Sequence, residues 1–228
     1  NSINWLRVMG QVSYYVWLTK QFTAPINVAI PSGNFGNAYS AWFGRNHGLP
    51  INQILCSTNV NDVLRRFIDG GVLEPLVTQP SVAPSMDIQI PSSLERLIFD
   101  LSSDAKSFYG QLQTKSKAQL DEKSINGLQN VFSSITFPDE RITTLIQSLH
   151  DEFALVFDPH SVTSVQMALD NDSSLPAVAV ATASPEKFGN VIAPLINGFT
   201  ESKIEEKEEY LTLSTENAEI IEAILAFI

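Results

Sequence analysis

Cysteine is nearly absent: Cys56 is the one thiol in 228 residues. A lone cysteine excludes an internal disulfide and fits a reducing compartment, so a cytoplasmic protein is expected. Histidine is scarce too, with three scattered residues, and with one cysteine beside them no metal-ligand spacing exists. The stretch "DNDSS" (Asp170 to Ser174) begins like a calcium loop but lacks the glycine and closing glutamate, so it reads as a turn. No apolar run approaches the ~20 residues of a membrane helix. The first residues do not read as a secretory leader either. Positive charge is short: the formal net charge is −11, and an acidic chain repels the phosphate backbone of nucleic acid. Neither a nucleic-acid nor a membrane partner is therefore expected. What is present is a chain 44% hydrophobic and 17% charged, enough for a real core and too apolar for disorder. It opens at Asn1 without a methionine and enters a patterned segment at once, so it reads as part of something longer.

Periodicity predicts the elements. Ile3, Leu6, Met9, Val12 and Val16 recur at helix spacing. Ile26 to Ile30 is short and apolar and reads as a buried strand; Asn37 to His47 reads as a helix stopping at Gly48. A second strand is expected over Gln53 to Ser57, with Asn61 as the next helix cap and Gly70-Gly71 as its stop. This alternation predicts an α/β fold with a parallel sheet. Four portions follow: 1–90 carries the first α/β unit, 91–152 reads as a helical insertion without a convincing strand, 153–200 returns to α/β, and 201–228 is an acidic linker and a last helix. In the third portion Pro159 to Leu169 suits a helix, Ala177 to Ala181 a buried strand, and Pro185 the start of another helix.

The residues with chemistry lie in "INVAIPSGNFGNAYSAWF", Ile26 to Phe43. A loop that follows a buried strand and opens a helix sits where backbone N–H groups are unpaired and the helix dipole is positive. An anion is stabilised there without a charged side chain. Gly33 and Gly36 let the backbone wrap closely, and Ser32, Asn34 and Asn37 offer hydrogen bonds. The spacing is neither Walker A nor the dinucleotide G-x-G-x-x-G. The plain alternative is a strand-to-helix turn with Asn as the cap.

"IPSGNFGN" (Ile30 to Asn37) resembles the loop with which threonine synthases hold the phosphate of pyridoxal 5′-phosphate (PLP). Other blocks resemble that family in its order: "NSINWLR" from Asn1, "STNVNDVLRRF" from Ser57, "SMDIQIPSSLERLIFDL" from Ser85, "DPHSV" from Asp158 and "ATASPEKF" from Ala181. The resemblance implies half of the cofactor domain of a fold type II PLP enzyme, related to tryptophan synthase β, with a helical insertion. It implies that Gly33, Asn34, Phe35, Gly36 and Asn37 bind the cofactor phosphate and that Thr182 stands at the pyridine nitrogen. It assigns Asn1, Ser2, Asn4 and Arg7 to the substrate end, where Arg7 is suited to fork onto a phosphate.

The reaction implied is conversion of O-phosphohomoserine and water to threonine and phosphate, the last step of threonine biosynthesis. The family's Schiff-base lysine precedes its N-S-x-N block. It is expected upstream of Asn1, since none of the eight lysines here, Lys187 included, stands in that motif. No catalytic residue is therefore assigned within the chain. The expectation is a C-terminal portion, inactive alone, that binds PLP weakly and needs the missing N-terminal part as its partner. Ser184 stands where many members carry histidine, which leaves open a related lyase acting on another phosphorylated or hydroxylated amino acid. A non-catalytic PLP- or anion-binding module is the alternative of another class.

Other candidates have plain readings. His160 either reaches the site or is a helix-start histidine beside Asp158; His47 complements a helix end; His150 is a surface residue. Cys56 reads as a small buried residue. Asp87 and Arg96 read equally as site residues or as a cap and a surface ion pair.

Overall fold

The computed structural model of the chain describes residues 4–102 and 104–199. The first α/β unit runs α1 (Trp5–Thr19), β1 (Ile26–Pro31), α2 (Gly36–Asn46), β2 (Ile51–Thr58), α3 (Val63–Gly70) and the two-residue β3 (Val72–Leu73). A long strap without regular structure beyond a 3₁₀ turn, Pro84–Met86, leads to α4 (Leu94–Leu101) and α5 (Ala105–Lys115). Then come β4 (Ala118–Gln119), α6 (Glu122–Gln129), β5 (Phe132–Thr136) and α7 (Asp139–Phe153). The chain continues with α8 (Ser161–Leu169), β6 (Ala177–Ala179), a 3₁₀ turn at Pro185–Phe188 and α9 (Gly189–Ile192).

The centre is a parallel sheet in the order β5-β2-β1-β6. Alternating side chains send Val28, Ile30, Ile54 and Cys56 to one face, where they pack with α2, α3 and α4. Ala29 and Leu55 face the other side, against residues of α7 and α8. Helices on both faces explain why β1 is buried along its whole length and reads as an unbroken apolar run. The one polar residue inside that run, Asn27, is also buried and sits where the β1–β2 register shifts. Its Oδ1 accepts from Asn52 Nδ2 at 2.8 Å and from the Gln53 amide at 3.2 Å, so the irregularity leaves no donor stranded.

Four expectations are corrected. The 91–152 portion is not purely helical: β5 pairs in parallel with β2 and closes one edge of the sheet. Its sequence "FSSIT" hid this, because an edge strand is only partly buried and two serines break the apolar pattern. β6 is likewise a partly buried edge, not a buried strand, since β1 flanks it on one side only. The N-cap of α3 is Asp62 and not Asn61, whose amide is taken up by the strap. Pro185 opens a 3₁₀ turn rather than an α-helix. The expected linker and helix of 201–228 lie outside the described residues. Among the described residues, no helix is long and apolar enough to cross a membrane.

Candidate functional site

Parallel strands deliver their C-terminal ends to one edge of the sheet, and β1 delivers the glycine loop there. Ser32 extends the β1–β2 ladder by one bond, its amide donating to the Ser57 carbonyl at 2.9 Å. Its hydroxyl turns back to the Ile30 carbonyl at 3.2 Å, so this group serves the backbone. At Gly33 the strap presses in: a Cβ there would lie 2.4 Å from the Ser85 carbonyl oxygen and 3.2 Å from Met86 Cα. Only glycine admits that approach.

Phe35 adopts a left-handed backbone, φ 66°, which non-glycine residues seldom take. Its ring is buried and rests 5.5 Å from that of Phe132 on β5, and this packing holds the strained conformation. Phe35 is also the N-cap of α2 and has no oxygen with which to cap it. α3, α4, α7 and α8 likewise start without a side-chain cap, whereas α1, α5 and α6 carry Asn4, Asp104 and Asp121 as working caps. No asparagine of the loop therefore caps α2, and the first amides of the helix have no side-chain acceptor.

A cavity of about 210 Å³ opens at this helix end, lined by the loop from Pro31 to Asn37 together with Arg7, Gln11 and Ser85. It contains a guanidinium and uncapped amides but no carboxylate, in a chain with eleven excess negative charges. Asn37 is oriented here. Its Oδ1 accepts from the hydroxyls of both Tyr14 and Tyr15, each at 2.5 Å, which leaves the amide NH₂ as the side chain's remaining polar group. Gln11 Oε1 lies 3.0 Å from Ser40 Oγ. Burial raises the Tyr14 phenol to about 12 and pushes Tyr15 well above its ordinary value too, so both stay protonated donors at neutral pH.

The strap is fixed from three sides. Asp87 accepts from Asn59 Nδ2 at 2.6 Å, Asn61 Nδ2 at 3.0 Å and both the hydroxyl and the amide of Ser81. Asn61 Oδ1 in turn accepts from the Gln79 amide at 2.8 Å. On the far side, the Ser85 amide donates to His160 Nε2 at 3.1 Å. That fixes the tautomer: His160 Nδ1 carries the hydrogen and donates to Asp158 Oδ1 at 2.8 Å. Burial pushes the Asp158 carboxyl up, but hydrogen bonds from His160 and Ser161 outweigh it and hold the group below the ordinary carboxylate range. The third tie is the Ser93 amide on the Asn34 carbonyl, 3.0 Å.

Of the residues expected from the sequence, Arg7 and Gly33 through Asn37 share the one cavity. Asn4 does not line it, and its Oδ1 caps α1 through the Leu6 amide at 2.9 Å. Asn1 and Ser2 lie outside the described residues. Thr182 is not in the cavity wall but follows β6, whose Ala179 pairs with Ala29, so it reaches the same edge of the sheet as Ser32. The Thr182 amide donates to Ser161 Oγ at 2.9 Å. Ser184 is exposed before the 3₁₀ turn. His160 is tied to the strap, His47 Nδ1 meets the Phe43 carbonyl at 2.7 Å, and Cys56 is a buried thiol pushed to about 12 by burial. No group of His, Cys, Asp and Glu among the described residues is placed to hold a metal. Gln11, Tyr14, Tyr15 and Ser85 escaped the sequence reading; helix spacing placed α1, but nothing in it showed which turn would face the loop.

No family model matches the chain. It is 31% identical to threonine synthase of Pseudomonas aeruginosa over 96% of its own length and 50% of that protein's. With threonine synthase of Saccharomyces cerevisiae it shares 30% identity over 94% of its length and 48% of that protein's. The PLP-bound threonine synthase of Brucella melitensis superposes with a TM-score of 0.85 at 29% identity, covering the whole chain and 52% of that structure. The chain is thus similar to threonine synthases in sequence and shares the α/β fold of the part it covers, while spanning about half the length of the curated relatives it matches.

Proposed function

We propose that this chain is the C-terminal half of a cytoplasmic threonine synthase, which converts O-phosphohomoserine and water to threonine and phosphate with PLP. The observation that carries the reading is the cavity at the start of α2, which has no side-chain cap, lined by the Arg7 guanidinium and Asn37 and by no carboxylate. A dianionic phosphate fits that donor set, and a cation does not.

In this reading the amides of Gly33 through Asn37 hold the cofactor phosphate, and Gly33 keeps the loop flat against the strap so that those amides stay aimed. Bound there, PLP would supply the electron sink for carbanion chemistry. Thr182 offers a hydroxyl at the same sheet edge, and a hydroxyl does not keep a ring nitrogen protonated as a carboxylate would. Arg7 sits on the cavity rim and forks onto the phosphate of the substrate or of the cofactor. No lysine among the described residues lines the cavity, so we assign the Schiff-base lysine to the half of the relatives that this chain does not span.

Release of inorganic phosphate from O-phospho-L-homoserine, with threonine as co-product, tests the proposal. The complete protein supplied with PLP is expected to release both, and the 228-residue chain neither. Should the complete protein hold PLP and release no phosphate, the substrate assignment falls. A lyase acting on another amino acid then takes its place, with Ser184 as the residue to exchange first for histidine.

A further inference from the structure

We propose that Tyr14 and Tyr15 are positioning residues for the anion site: together they lock the side-chain amide of Asn37 with its NH₂ toward the cavity. The inference deepens the reading above and rests on it only for the identity of the anion.

A free asparagine amide can turn by 180°, presenting either an acceptor or a donor, and the two faces have opposite consequences for a phosphate. Here the choice is made by α1. Two successive residues of that helix bring their hydroxyls to the same Asn37 oxygen, at 2.5 Å each, across 23 and 22 residues of sequence. Their rings lie 4.6 Å apart, and Tyr15 is fully buried. A carbonyl oxygen has two lone pairs, and both are taken. Phenols are donors with high pKa, so the arrangement persists across the neutral range. Neither tyrosine lines the cavity, so the pair acts through Asn37 rather than on the ligand. The pairing also gives α1 a role at the site beyond carrying Arg7: one turn presents the guanidinium, and the pair two turns later sets the polarity of the amide facing it.

The test is a set of titrations of the complete protein with inorganic phosphate, PLP, pyridoxal and O-phospho-L-homoserine. Losing the lock in Tyr14→Phe/Tyr15→Phe should weaken phosphate binding about tenfold. Asn37→Asp keeps an oxygen for both phenols but faces the cavity with an acceptor, so it should abolish phosphate binding while the thermal midpoint holds. In an Asn37→Ala background the tyrosine substitutions should change affinity less than about twofold, since an indirect effect vanishes with its intermediary. Tyr14→Phe alone repeats the test at the more exposed position if the double variant does not fold.

A loss for PLP without a loss for pyridoxal identifies the cofactor's phosphate as the ligand. A loss confined to the phosphorylated substrate identifies the substrate's. Equal costs of the tyrosine substitutions with and without Asn37, or phosphate binding retained in Asn37→Asp, overturns the proposal. Because inorganic phosphate affinity is read without turnover, the lock can hold even if the phosphohomoserine reaction fails, and the reverse.

Discussion

At the scale of the residue, the site depends on positions where one atom more or less decides the outcome. Gly33 is the sharpest case. The added methyl of Gly33→Ala would meet backbone atoms of the strap at 2.4 Å and 3.2 Å, and backbone cannot turn aside as a flexible side chain can. Loop or strap must shift, at a cost of roughly 1–3 kcal/mol, the range for overpacking. Denaturant unfolding should show that loss, and phosphate titration should show weaker binding in the same variant. A Gly33→Ala protein as stable as the parent with unchanged affinity would mean that the close approach to Ser85 has no role. Phe35 is the converse case, a bulky residue kept in a left-handed conformation by its contact with Phe132. The sequence resemblance placed Phe35 only within the phosphate-binding loop, whereas the structure also puts it at the N-cap of α2 without a side-chain oxygen to cap that helix.

At the scale of the element, the irregular strap between β3 and α4 matters more than any helix. It carries no sheet hydrogen bonds of its own, so side chains must satisfy it. Asp87 is the hub, collecting two buried asparagine amides and both donors of Ser81. Asp87→Ala strands those donors and should cost on the order of 3 kcal/mol. Limited proteolysis within residues 79–91 should accelerate in that variant, alongside a lower denaturant midpoint. An unchanged cleavage rate would show that the other ties suffice. The segments "STNVNDVLRRF" and "SMDIQIPSS" stand apart in sequence, yet in space they form this one clasp. That is why Asn61 could not be recognised as anything but a helix cap from its neighbours alone.

At the scale of the whole molecule, the ionisable groups set a pH window for stability. Asp158 is held below its ordinary value, so its folded state binds fewer protons than the unfolded one near pH 4. The stability it contributes is present above about pH 4 and is lost as pH falls through its lowered pKa. At the other end, Cys56 and the phenols of Tyr14, Tyr15 and Tyr39 are raised by burial above their ordinary values of 9.0 and 10.0. The unfolded chain releases those protons first, so folding weakens as pH rises beyond about 9. Chemical denaturation at stepped pH should give a plateau between these limits. Stability that keeps rising past pH 10 would contradict the buried, protonated state of these groups.

Local patterns alone determined much here. The alternation of apolar runs and helix-spaced segments predicts a parallel α/β sheet, because burial on two faces demands continuous apolar strands. The glycine loop was legible as a candidate anion site because a strand-to-helix turn leaves amides unpaired. Those are local consequences of side-chain type and spacing. The tertiary structure alone decided the rest. It made β5 a strand despite its serines, since pairing with β2 supplies what its own pattern lacks. It also took Asn61 into the clasp, tied His160 to the strap, and brought the two tyrosines of α1 onto Asn37. The contacts of the tyrosines with Asn37 and of His160 with Ser85 join residues 22 to 75 positions apart, beyond any short window of sequence. The side-chain oxygen of Asn37 is held by hydroxyls on another helix, and for that reason the orientation of its amide could be read only once the chain was folded.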